Sequence, residues 1–377
     1  MTIKKIENQV VLCGYNSFNA YGMVRSLGEA GISPTLIINR CAYPFLAKSR
    51  YAKNGVFYFD NPQELPGLIR KHIRTAKAKP IVICCDDPLQ SVMDCNYDDF
   101  KDEYLLSNCN GKQGEITRLM DKDVQMDIAS RCGVIVPKTW KIKKSGSIPS
   151  DMIYPCIAKP ELSINGSKAE IKVCQNQEEL MQVISNRNYL VQEYIDKDYE
   201  AIIWGSSLSN RSYYIPGIST KIRQYPDLQG VTSYGVMQPF NDKTVIDLKA
   251  INEFLHHIHY TGMFSIEFAI KGNIGYLLEI NLRNDGLQYF STAAGANLPY
   301  IYINSLLGRE FVEPTITTPL YFMGEITDFK QIYRKKVSPI RWLRDLSRTR
   351  CFFIFNWRDP KPFVYQLSGK LLSRFHK

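Results

Sequence analysis

The sequence predicts an α/β domain with a Rossmann-like opening, followed by a larger α+β domain. An apolar strand at 9–13, a helix-period segment at 20–31 and a second apolar strand at 35–39 form a βαβ opening. From Tyr154 onward the pattern changes to short strands joined by turns. With 377 residues, 45% of them hydrophobic and 22% charged, the chain is long enough for two or three packed domains. The opening continues with a strand at 55–59, a helix at 62–76 and a strand at 80–85.

Cysteine usage and the lengths of the apolar runs indicate the compartment. The ten cysteines include the adjacent pair Cys84 and Cys85 but no Cys-x-x-Cys spacing, so we expect buried reduced thiols. The first residues lack the apolar run of a signal peptide, and no apolar stretch approaches the roughly 18 residues of a membrane-spanning helix. We therefore expect a cytoplasmic protein, with peripheral attachment to the inner face of the membrane as an alternative.

Positive charge is concentrated at the C-terminal end. From Lys330 to Lys377 there are 13 Lys and Arg residues against Asp345 and Asp359, a net +11, so the first 329 residues carry a net −1 of the total +10. Aromatic residues interleave with these cations, which suits an anionic membrane surface or a lipid- or nucleotide-linked sugar. The alternative is a docked helix and strand with a solvated basic face. Nucleic acid is a third partner class, for which the segment has no recognised motif.

The common nucleotide-binding motifs do not occur in the sequence. Gly14 and Gly22 do not form Gly-x-Gly-x-x-Gly, and the second strand ends in Asn39 without the acidic residue that would bind a ribose. The Gly-x-x-x-x-Gly-Lys-Ser/Thr loop is missing as well. Asp86 and Asp87 follow an apolar strand directly, where open α/β sheets place ligand contacts, or they cap the next helix.

The stretch from Gly262 to Asn297 carries the strongest indication of chemistry. Two alternating strands joined by a turn centred on Asn273 place Glu267 opposite Glu279. Like charges opposed in a ladder destabilise it unless a cation lies between them, and two carboxylates with the amide of Asn281 suit Mg²⁺. The alternative is a solvated sheet face on which the glutamates repel weakly. The predicted buried face consists of Phe264, Ile266, Phe268, Ile270, Tyr276, Leu278, Ile280 and Leu282, with Leu277 on the opposite face.

Several cations occur where phosphates could bind. Lys122 lies near the start of a predicted helix, an unfavourable place for a cation unless an anion is bound there. Lys159 ends a strand that leads into the polar loop 163–168, and such a hairpin can close over phosphates. A surface lysine and an ordinary exposed turn are the respective alternatives. Lys221 and Arg223 alternate along a later strand, which predicts that they share one face.

Taken in order, these features resemble the motif set of the ATP-grasp superfamily. The similarity extends over residues 1–325 and also includes the segment Gln192-Glu193-Tyr194-Ile195, Glu200 and Arg283. It implies a pre-ATP-grasp Rossmann-like domain followed by a two-lobed ATP-grasp fold that clasps ATP between its lobes. The implied boundaries are 1–112 for the first domain, 113–325 for the second with lobes of about 113–190 and 191–325, and 326–377 for a basic, aromatic extension.

The resemblance also implies cofactors and residue roles. ATP and Mg²⁺ or Mn²⁺ would bind between the lobes. The implied contacts are Lys122 and Lys159 to the phosphates, Ser163, Asn165, Gly166 and Ser167 closing over them, Glu193 with the backbone of Tyr194 and Ile195 to adenine, Gln192 as a further cofactor contact, Glu200 to the ribose, and Glu267, Glu279 and Asn281 to the metal.

The activity implied by the resemblance is that of a ligase. A small-molecule carboxylate would attack the γ-phosphate of ATP, and an amine would displace phosphate from the acyl phosphate to leave an amide. Arg283, Arg223 and Lys221 are expected to stabilise the developing charge. Within the superfamily the sequence looks most like D-aspartate ligases and their relatives in cell-envelope or polysaccharide synthesis. The segment 284–297 would line the acceptor pocket or simply pack as a helix.

Two other functions are compatible with the same resemblance. Biotin carboxylase or carbamoyl-phosphate chemistry would activate bicarbonate, and it would need partner subunits because the sequence shows no biotinyl or glutamine-hydrolysing segment. A non-catalytic nucleotide-binding regulatory module is the second, since fold does not determine function. A homodimer is the candidate assembly.

Overall fold

The computed structural model describes residues 6–74, 78–160, 171–185, 187–226, 230–241 and 244–375. The predicted phosphate-covering residues Ser163, Asn165, Gly166 and Ser167 lie outside these ranges. Within them, no helix combines the length and the apolar character needed to cross a membrane.

The N-terminal part alternates strands and helices, as predicted. The helix predicted at 62–76 begins with a 3-10 turn at Pro62–Glu64 and ends at His72, earlier than expected. A second 3-10 turn lies at Phe45–Lys48. The elements in chain order are β1 (Val10–Gly14), α1 (Phe18–Glu29), β2 (Thr35–Asn39), β3 (Val56–Phe59), α2 (Leu65–His72), β4 (Ile81–Cys84), α3 (Asp87–Cys95) and α4 (Tyr97–Phe100).

These strands form a parallel sheet in the order β3-β2-β1-β4. Parallel strands need crossover connections, so helices cover the sheet and apolar clusters lie on both faces. Helix α1 approaches β1 closely because Gly14 has no side chain; a Cβ there would lie 2.7 Å from the Cβ of Ala20. The carboxyl ends of β1 and β4 meet at one edge, where the Tyr15 amide donates to Asp86 Oδ2 at 2.8 Å. This edge faces the site described below.

A small antiparallel sheet follows, with strand order β6-β9-β7-β8. One helix, α7, packs on it around Leu180 and Trp140. The hairpin of β7 and β8 brackets the loop predicted to cover phosphates. The elements of this part are β5 (Asn108–Cys109), α5 (Glu115–Leu119), α6 (Lys122–Arg131), β6 (Thr139–Ile142), β7 (Cys156–Pro160), β8 (Lys172–Cys174), α7 (Gln177–Ile184) and β9 (Tyr189–Glu193).

A larger sheet is formed by the rest of the chain. Its strand order is β16-β15-β10-β12-β13-β17-β18, with β11 beside β10, and only the pair β17 and β18 is parallel. Its elements and their neighbours are β10 (Tyr199–Ser207), β11 (Tyr213–Tyr214), β12 (Ile218–Tyr225), β13 (Val231–Gln238), α8 (Leu248–His257), β14 (Tyr260–Thr261), β15 (Met263–Lys271), β16 (Ile274–Asn281), α9 (Tyr289–Ala293), α10 (Leu298–Leu306), β17 (Leu320–Met323), α11 (Glu325–Tyr333), α12 (Pro339–Arg348), β18 (Cys351–Phe352) and α13 (Lys361–Phe375).

The two faces of the larger sheet have different surroundings. One face packs under α8 and α6 in a core that includes Ile266 and Phe254. On the other face, Trp204 packs against the N-terminal part and α10. The same face also carries Glu200 and Glu267, which the pairing of β10 with β15 places on one side. A charged region therefore lies beside the contact with the N-terminal part.

The C-terminal extension is built into the fold. Strand β18 extends the larger sheet beyond β17, and α13 packs on the 3-10 turn of the N-terminal part. The buried Asp359 accepts a hydrogen bond from Ser49 Oγ at 2.5 Å, and Arg25 Nη2 donates to Phe353 O at 2.8 Å. The docked helix and strand of the second reading are therefore present, and the membrane and sugar partners stay predictions.

Candidate active site

Glu267 and Glu279 lie directly opposite each other on β15 and β16, as the sequence predicts. The pairing depends on a β-bulge. Nearer the turn, Phe268 pairs with Leu277, so an unbroken ladder would place Leu278 opposite Glu267. Because Leu278 is the extra residue of the bulge, the register shifts by one and the two glutamates meet.

The bulge makes part of the predicted face assignment wrong. Leu277, which we predicted on the polar face, is buried in the core under the sheet. Tyr276, predicted in the core, pairs with Ala269 and is half-buried on the face of Glu267. A shift of one residue moves a side chain to the other face of a strand. Because the bulge lies between Leu277 and Glu279, Tyr276 and Leu277 are on the faces opposite to those predicted, while Glu279 is on the predicted face.

The electrostatics and donor atoms of this pair fit a divalent cation. Burial, and after it the charge of Glu279, raise the pKa of Glu267 to about 7. Asn281 continues the same face; its Nδ2 donates to Ser265 Oγ at 3.3 Å and its Oδ1 accepts from Arg283 at 3.2 Å. Two carboxylates and an amide oxygen are hard ligands of the kind that Mg²⁺ takes. Across the described ranges, no group of three or more His, Cys, Asp and Glu side chains forms an alternative metal site.

Lys122 reaches the glutamate pair from helix α6. It is the first residue of the helix, whose N-terminus is capped by Asp121 accepting from the Asp123 amide at 2.9 Å. Its Nζ lies 3.0 Å from Glu279 Oε1. Although the Lys122 side chain is 49% exposed, partial burial lowers its pKa; the charge and hydrogen bond of Glu279, with the charges of Glu267 and Asp87, together outweigh this effect and raise the pKa overall. Lys122 is therefore an ammonium ion at the edge of the β15–β16 hairpin.

Lys159 enters the same region from the small antiparallel sheet. Its Nζ donates to Gln192 Oε1 at 2.8 Å. Burial, followed by the positive charge of Lys122, lowers the pKa of Lys159 to about 8. A desolvated ammonium facing another cation is unfavourable, and an anionic ligand between them would relieve this cost. The two lysines and the glutamate pair thus converge from three separate segments of the chain.

The predicted adenine segment connects β9 to β10. Each of its four residues is hydrogen-bonded to neighbouring parts of the protein, so the segment has a defined conformation before nucleotide binds. The backbone amide of Tyr194 is among the groups already bonded within the protein. The contacts are Gln192 Nε2 to Thr139 Oγ1 at 3.2 Å, Glu193 N to Lys138 O at 2.8 Å, Tyr194 N to Pro155 O at 3.1 Å and Lys197 N to Ile195 O at 2.8 Å.

Glu200, the predicted ribose ligand, is held between two lysines. Lys197 Nζ lies 2.5 Å from one carboxylate oxygen and Lys221 Nζ binds the other. Burial raises the pKa of Glu200, but the two ammonium groups, Lys221 foremost, outweigh burial and lower it. Glu200 is therefore an ionised acceptor, and Lys221 lies on the face predicted for it.

Arg223 does not lie on the face of Lys221, so the prediction that the two share a face is wrong. A bulge in β12 pairs Lys221 with Gly235 and Arg223 with Tyr234, which are adjacent on β13 and therefore point to opposite faces. The Arg223 guanidinium contacts both carboxylate oxygens of Asp328, at 3.0 and 2.7 Å. It also binds Asp345 Oδ2 at 2.5 Å and lies 4.3 Å from the Tyr234 ring centroid. Arg223 holds helices α11 and α12 onto the sheet.

Arg283 joins the β15–β16 hairpin to the N-terminal part. Its Nε and Nη2 bind the two oxygens of Asp87 at 2.6 and 2.7 Å, and Nη1 donates to Asn284 O at 3.0 Å. Burial lowers the pKa of Arg283, but the hydrogen bond and charge of Asp87, together with the charges of Asp285 and Asp86, outweigh burial and raise it. The sequence indicated Asp87 only as the residue after a strand end. Its pairing with a residue 196 positions away had no sequence signal.

The segment at 284–297 packs against the N-terminal part. Asn284 is 2% exposed and its Nδ2 donates to Asn19 Oδ1. Gly286 fits closely under Phe18, because a Cβ there would lie 2.4 Å from the ring. Asp285 Oδ1 accepts from Trp204 Nε1 at 3.1 Å. These contacts correspond to the packing role predicted for the segment. Its role in lining the acceptor pocket stays a prediction.

Comparison with known proteins identifies the same architecture. Residues 235–329 match the family described as "ATP-grasp in the biosynthetic pathway with Ter operon". Over 175 residues, 42% of this chain, the sequence is 25% identical to the carbamoyl phosphate synthase large chain of Sulfolobus acidocaldarius. That match covers 16% of the length of the relative.

Solved structures resemble the chain over most of its length. The N5-carboxyaminoimidazole synthetase of Staphylococcus aureus superposes with a TM-score of 0.66 at 15% identity, covering 89% of this chain and 88% of that one. The L-amino acid ligase of Bacillus licheniformis superposes with a TM-score of 0.61 at 13% identity, covering 80% and 75%. These matches confirm the predicted resemblance to ATP-grasp proteins, and the chain shares the fold of these solved structures.

Proposed function

We propose that the protein is an ATP- and Mg²⁺-dependent ligase that joins a carboxylate to an amine through an acyl phosphate. The observation that carries this proposal is the convergence of Glu267 and Glu279 with Lys122 and Lys159. Metal-ligating carboxylates beside two ammonium groups form a site for a polyphosphate. The Staphylococcus aureus synthetase has also been solved with ADP bound, and its chain superposes with a TM-score of 0.65. Its binding of ADP supports ATP as the nucleotide.

Each part of the site has a role in this proposal. Glu267, Glu279 and Asn281 would hold Mg²⁺, which would supply positive charge to the phosphate oxygens. Lys122 and Lys159 bind the phosphates, and the desolvation of Lys159 strengthens its contact with an anion. Four further residues, Gln192, Glu193, Tyr194 and Ile195, form the adenine segment. Glu200 accepts hydrogen bonds from the ribose.

The chemical step places charge near two cations. The substrate carboxylate attacks the γ-phosphate, and the amine then displaces phosphate from the acyl phosphate. Arg283 stabilises the anionic groups from the side of the N-terminal part, where its pair with Asp87 holds the guanidinium beside Asn281. Lys221 acts from the opposite side, where it also positions Glu200. Arg223 has no place in this step because it binds helices α11 and α12.

The experiment that tests the proposal is release of ADP and phosphate over a matrix of amino acids, uronic acids and amines, with mass spectrometry of the adducts. Glu279→Gln should abolish release while the circular dichroism spectrum stays unchanged, because the metal loses a charged ligand. A matched control is Glu253→Gln on the exposed side of α8, which should retain full activity. Undiminished release by the Glu279 variant would overturn the metal assignment. Nucleotide binding without turnover over the whole matrix would favour a regulatory module.

A bicarbonate-activating enzyme is the second candidate. The carbamoyl phosphate synthase relative favours it, since the resemblance implies bicarbonate as the carboxylate of that chemistry. ATP hydrolysis that depends on added bicarbonate, with labelled bicarbonate recovered in the product, would select this candidate. Release of ADP that depends on an organic carboxylate in bicarbonate-free buffer would select the amide ligase. The D-aspartate ligase-like branch and a lipid- or nucleotide-linked acceptor stay predictions that the same product analysis tests.

A further inference from the structure

Helices α11 and α12 present an exposed surface in which apolar side chains alternate with cations. We call this surface, formed by Lys330, Arg341 and Arg344 with four apolar side chains, the basic face. Its apolar members are Phe329, Tyr333, Ile340 and Leu343, with exposed fractions of 42%, 76%, 82% and 59%.

The basic face is carried by two packed helices. Helix α12 turns Trp342 and Asp345 inward, so Ile340, Leu343 and Arg344 lie on its outward side at helical spacing. Phe329 of α11 packs against the inward Trp342 of α12, with ring centroids 5.4 Å apart, and its ring also lies 5.4 Å from that of Tyr333 on its own helix. Large apolar side chains exposed together on a folded surface are typical of a binding surface.

The acidic residues of this part of the chain are all turned inward. Between 325 and 377 the sequence has four carboxylates, and none of the four is an exposed residue. Asp328 and Asp345 bind Arg223, and Asp359 binds Ser49. Glu325 accepts from three backbone amides, the shortest from Phe355 at 2.8 Å. Between residues 325 and 375, the outward side of α11 and α12 therefore presents cations without an exposed acidic side chain from this segment.

We propose that the basic face binds the surface of an anionic phospholipid bilayer. Arginine and lysine side chains would meet the phosphates and anionic headgroups, while Ile340 and Leu343 would enter the boundary between headgroups and acyl chains. Charge complementarity favours this partner over an acidic protein or nucleic acid, because neither of those needs isolated aliphatic side chains between the cations. Nucleic acid would be met by phosphate contacts and stacked aromatics.

The basic face is also connected to the candidate active site. Gln331 of α11 donates to Gln224 O at 2.6 Å, and Lys221 donates to Gln224 Oε1 at 3.3 Å. Lys221 in turn binds Glu200. The basic face therefore lies on helices fixed to the strand that supports the predicted ribose contact, so membrane binding would hold the active site at a defined distance from the bilayer.

The experiment uses the full chain with vesicles of phosphatidylcholine alone or mixed with phosphatidylglycerol. We expect the protein to sediment with the anionic vesicles and to stay in solution with the neutral ones. In the double variant Arg341→Gln/Arg344→Gln, binding should weaken by roughly 25-fold, from about fivefold for each charge near the surface. Ile340→Ser/Leu343→Ser should weaken binding at unchanged charge.

The matched control is Lys143→Gln/Lys144→Gln, which removes two exposed cations from the small sheet region and should leave binding unchanged. Unchanged unfolding midpoints would show that the variants fold. Equal sedimentation of the native protein with neutral and anionic vesicles would overturn the proposal, as would an equal loss in the control variant. So would retention of full binding by the Ile340/Leu343 variant, or tighter binding to duplex DNA than to vesicles. If the native protein were a dimer that dissociated only in the Ile340/Leu343 variant, the basic face would bind a second copy of the chain, and the membrane proposal would be overturned.

Discussion

Replacing Glu267 with Gln should stabilise the metal-free protein above neutral pH. In the folded protein, burial and the facing Glu279 raise the pKa of Glu267 from 4.5 to about 7. The folded state therefore binds this proton more tightly than the unfolded state does. The contribution of Glu267 to the free energy of unfolding is therefore fully present below its pKa in the unfolded state. It falls as the pH rises from that pKa, 4.5, to the pKa in the folded state, about 7.

The size of the effect follows from the raised pKa. At about 1.36 kcal/mol for each pKa unit, ionised Glu267 destabilises the fold by at most roughly 3 kcal/mol. Lys122 contacts Glu279 and offsets part of the repulsion between the two glutamates. We therefore expect the free energy of unfolding of the Gln variant to exceed that of the native protein by about 1 to 3 kcal/mol at about pH 8. At about pH 4, below the pKa of 4.5 in the unfolded state, both states keep Glu267 protonated and the gain should be near zero.

Urea unfolding with a chelator present measures this difference at both pH values. The matched control, Glu253→Gln, changes an exposed side chain and should alter the unfolding free energy by no more than about 0.5 kcal/mol at either pH. Excess Mg²⁺ at about pH 8 should stabilise the native protein and leave the Glu267 variant unaffected. A Glu267 variant that is equally stable or less stable than the native protein at about pH 8 would refute the reasoning.

Two further substitutions probe the phosphate site and the extension. Lys159→Met should raise the dissociation constant for ADP at least roughly tenfold in calorimetric titration, because a desolvated ammonium is lost from the phosphates. The control Lys172→Met removes an exposed lysine and should leave the dissociation constant unchanged. Unchanged affinity of the Lys159 variant would show that Lys159 is not part of the site. Asp328→Asn should cost about 3 to 5 kcal/mol in urea unfolding, since it breaks a buried pair with Arg223. Asp198→Asn, which breaks an exposed pair with a lysine, should cost no more than about 1 kcal/mol, and similar costs for the two would show that the pair with Arg223 is unimportant.

The contacts between the C-terminal extension and the rest of the fold limit how the basic face can be tested. Removing residues 330–377 would take away β18 and Asp345 along with the basic face. Loss of vesicle binding in that truncation would not distinguish a missing surface from a damaged sheet. Point substitutions on the outward side of α12 avoid this problem, because Ile340 and Leu343 are exposed.

Patterns confined to neighbouring residues were predictable from the sequence. The apolar strands of the N-terminal sheet could be identified because buried parallel strands are apolar on both faces. Likewise, the glutamate pair followed from alternation around a short turn. Lys122 and Lys159 lie beside the same hairpin, and their order along the chain indicated a common site.

Contacts between distant segments were not predictable in the same way. Arg223 was expected in the active site because its own strand pattern placed it beside Lys221. The bulge that turns it away has no local signal, and its partners Asp328 and Asp345 lie 105 and 122 residues further along the chain. The pairing of Arg283 with Asp87 was hidden for the same reason. A carboxylate near a strand end has many candidate partners until the two parts of the chain are packed together.

The bulge at Leu278 lets one strand serve two environments within three residues. On a regular strand, Leu277 and Glu279 are two positions apart and would point to the same face. The extra residue reverses this, so Leu277 packs in the core while Glu279 lies opposite Glu267 on the other face. Deleting Leu278 would make the two residues adjacent and would still leave Glu279 opposite Glu267, so the glutamate pair tolerates loss of the bulge residue itself.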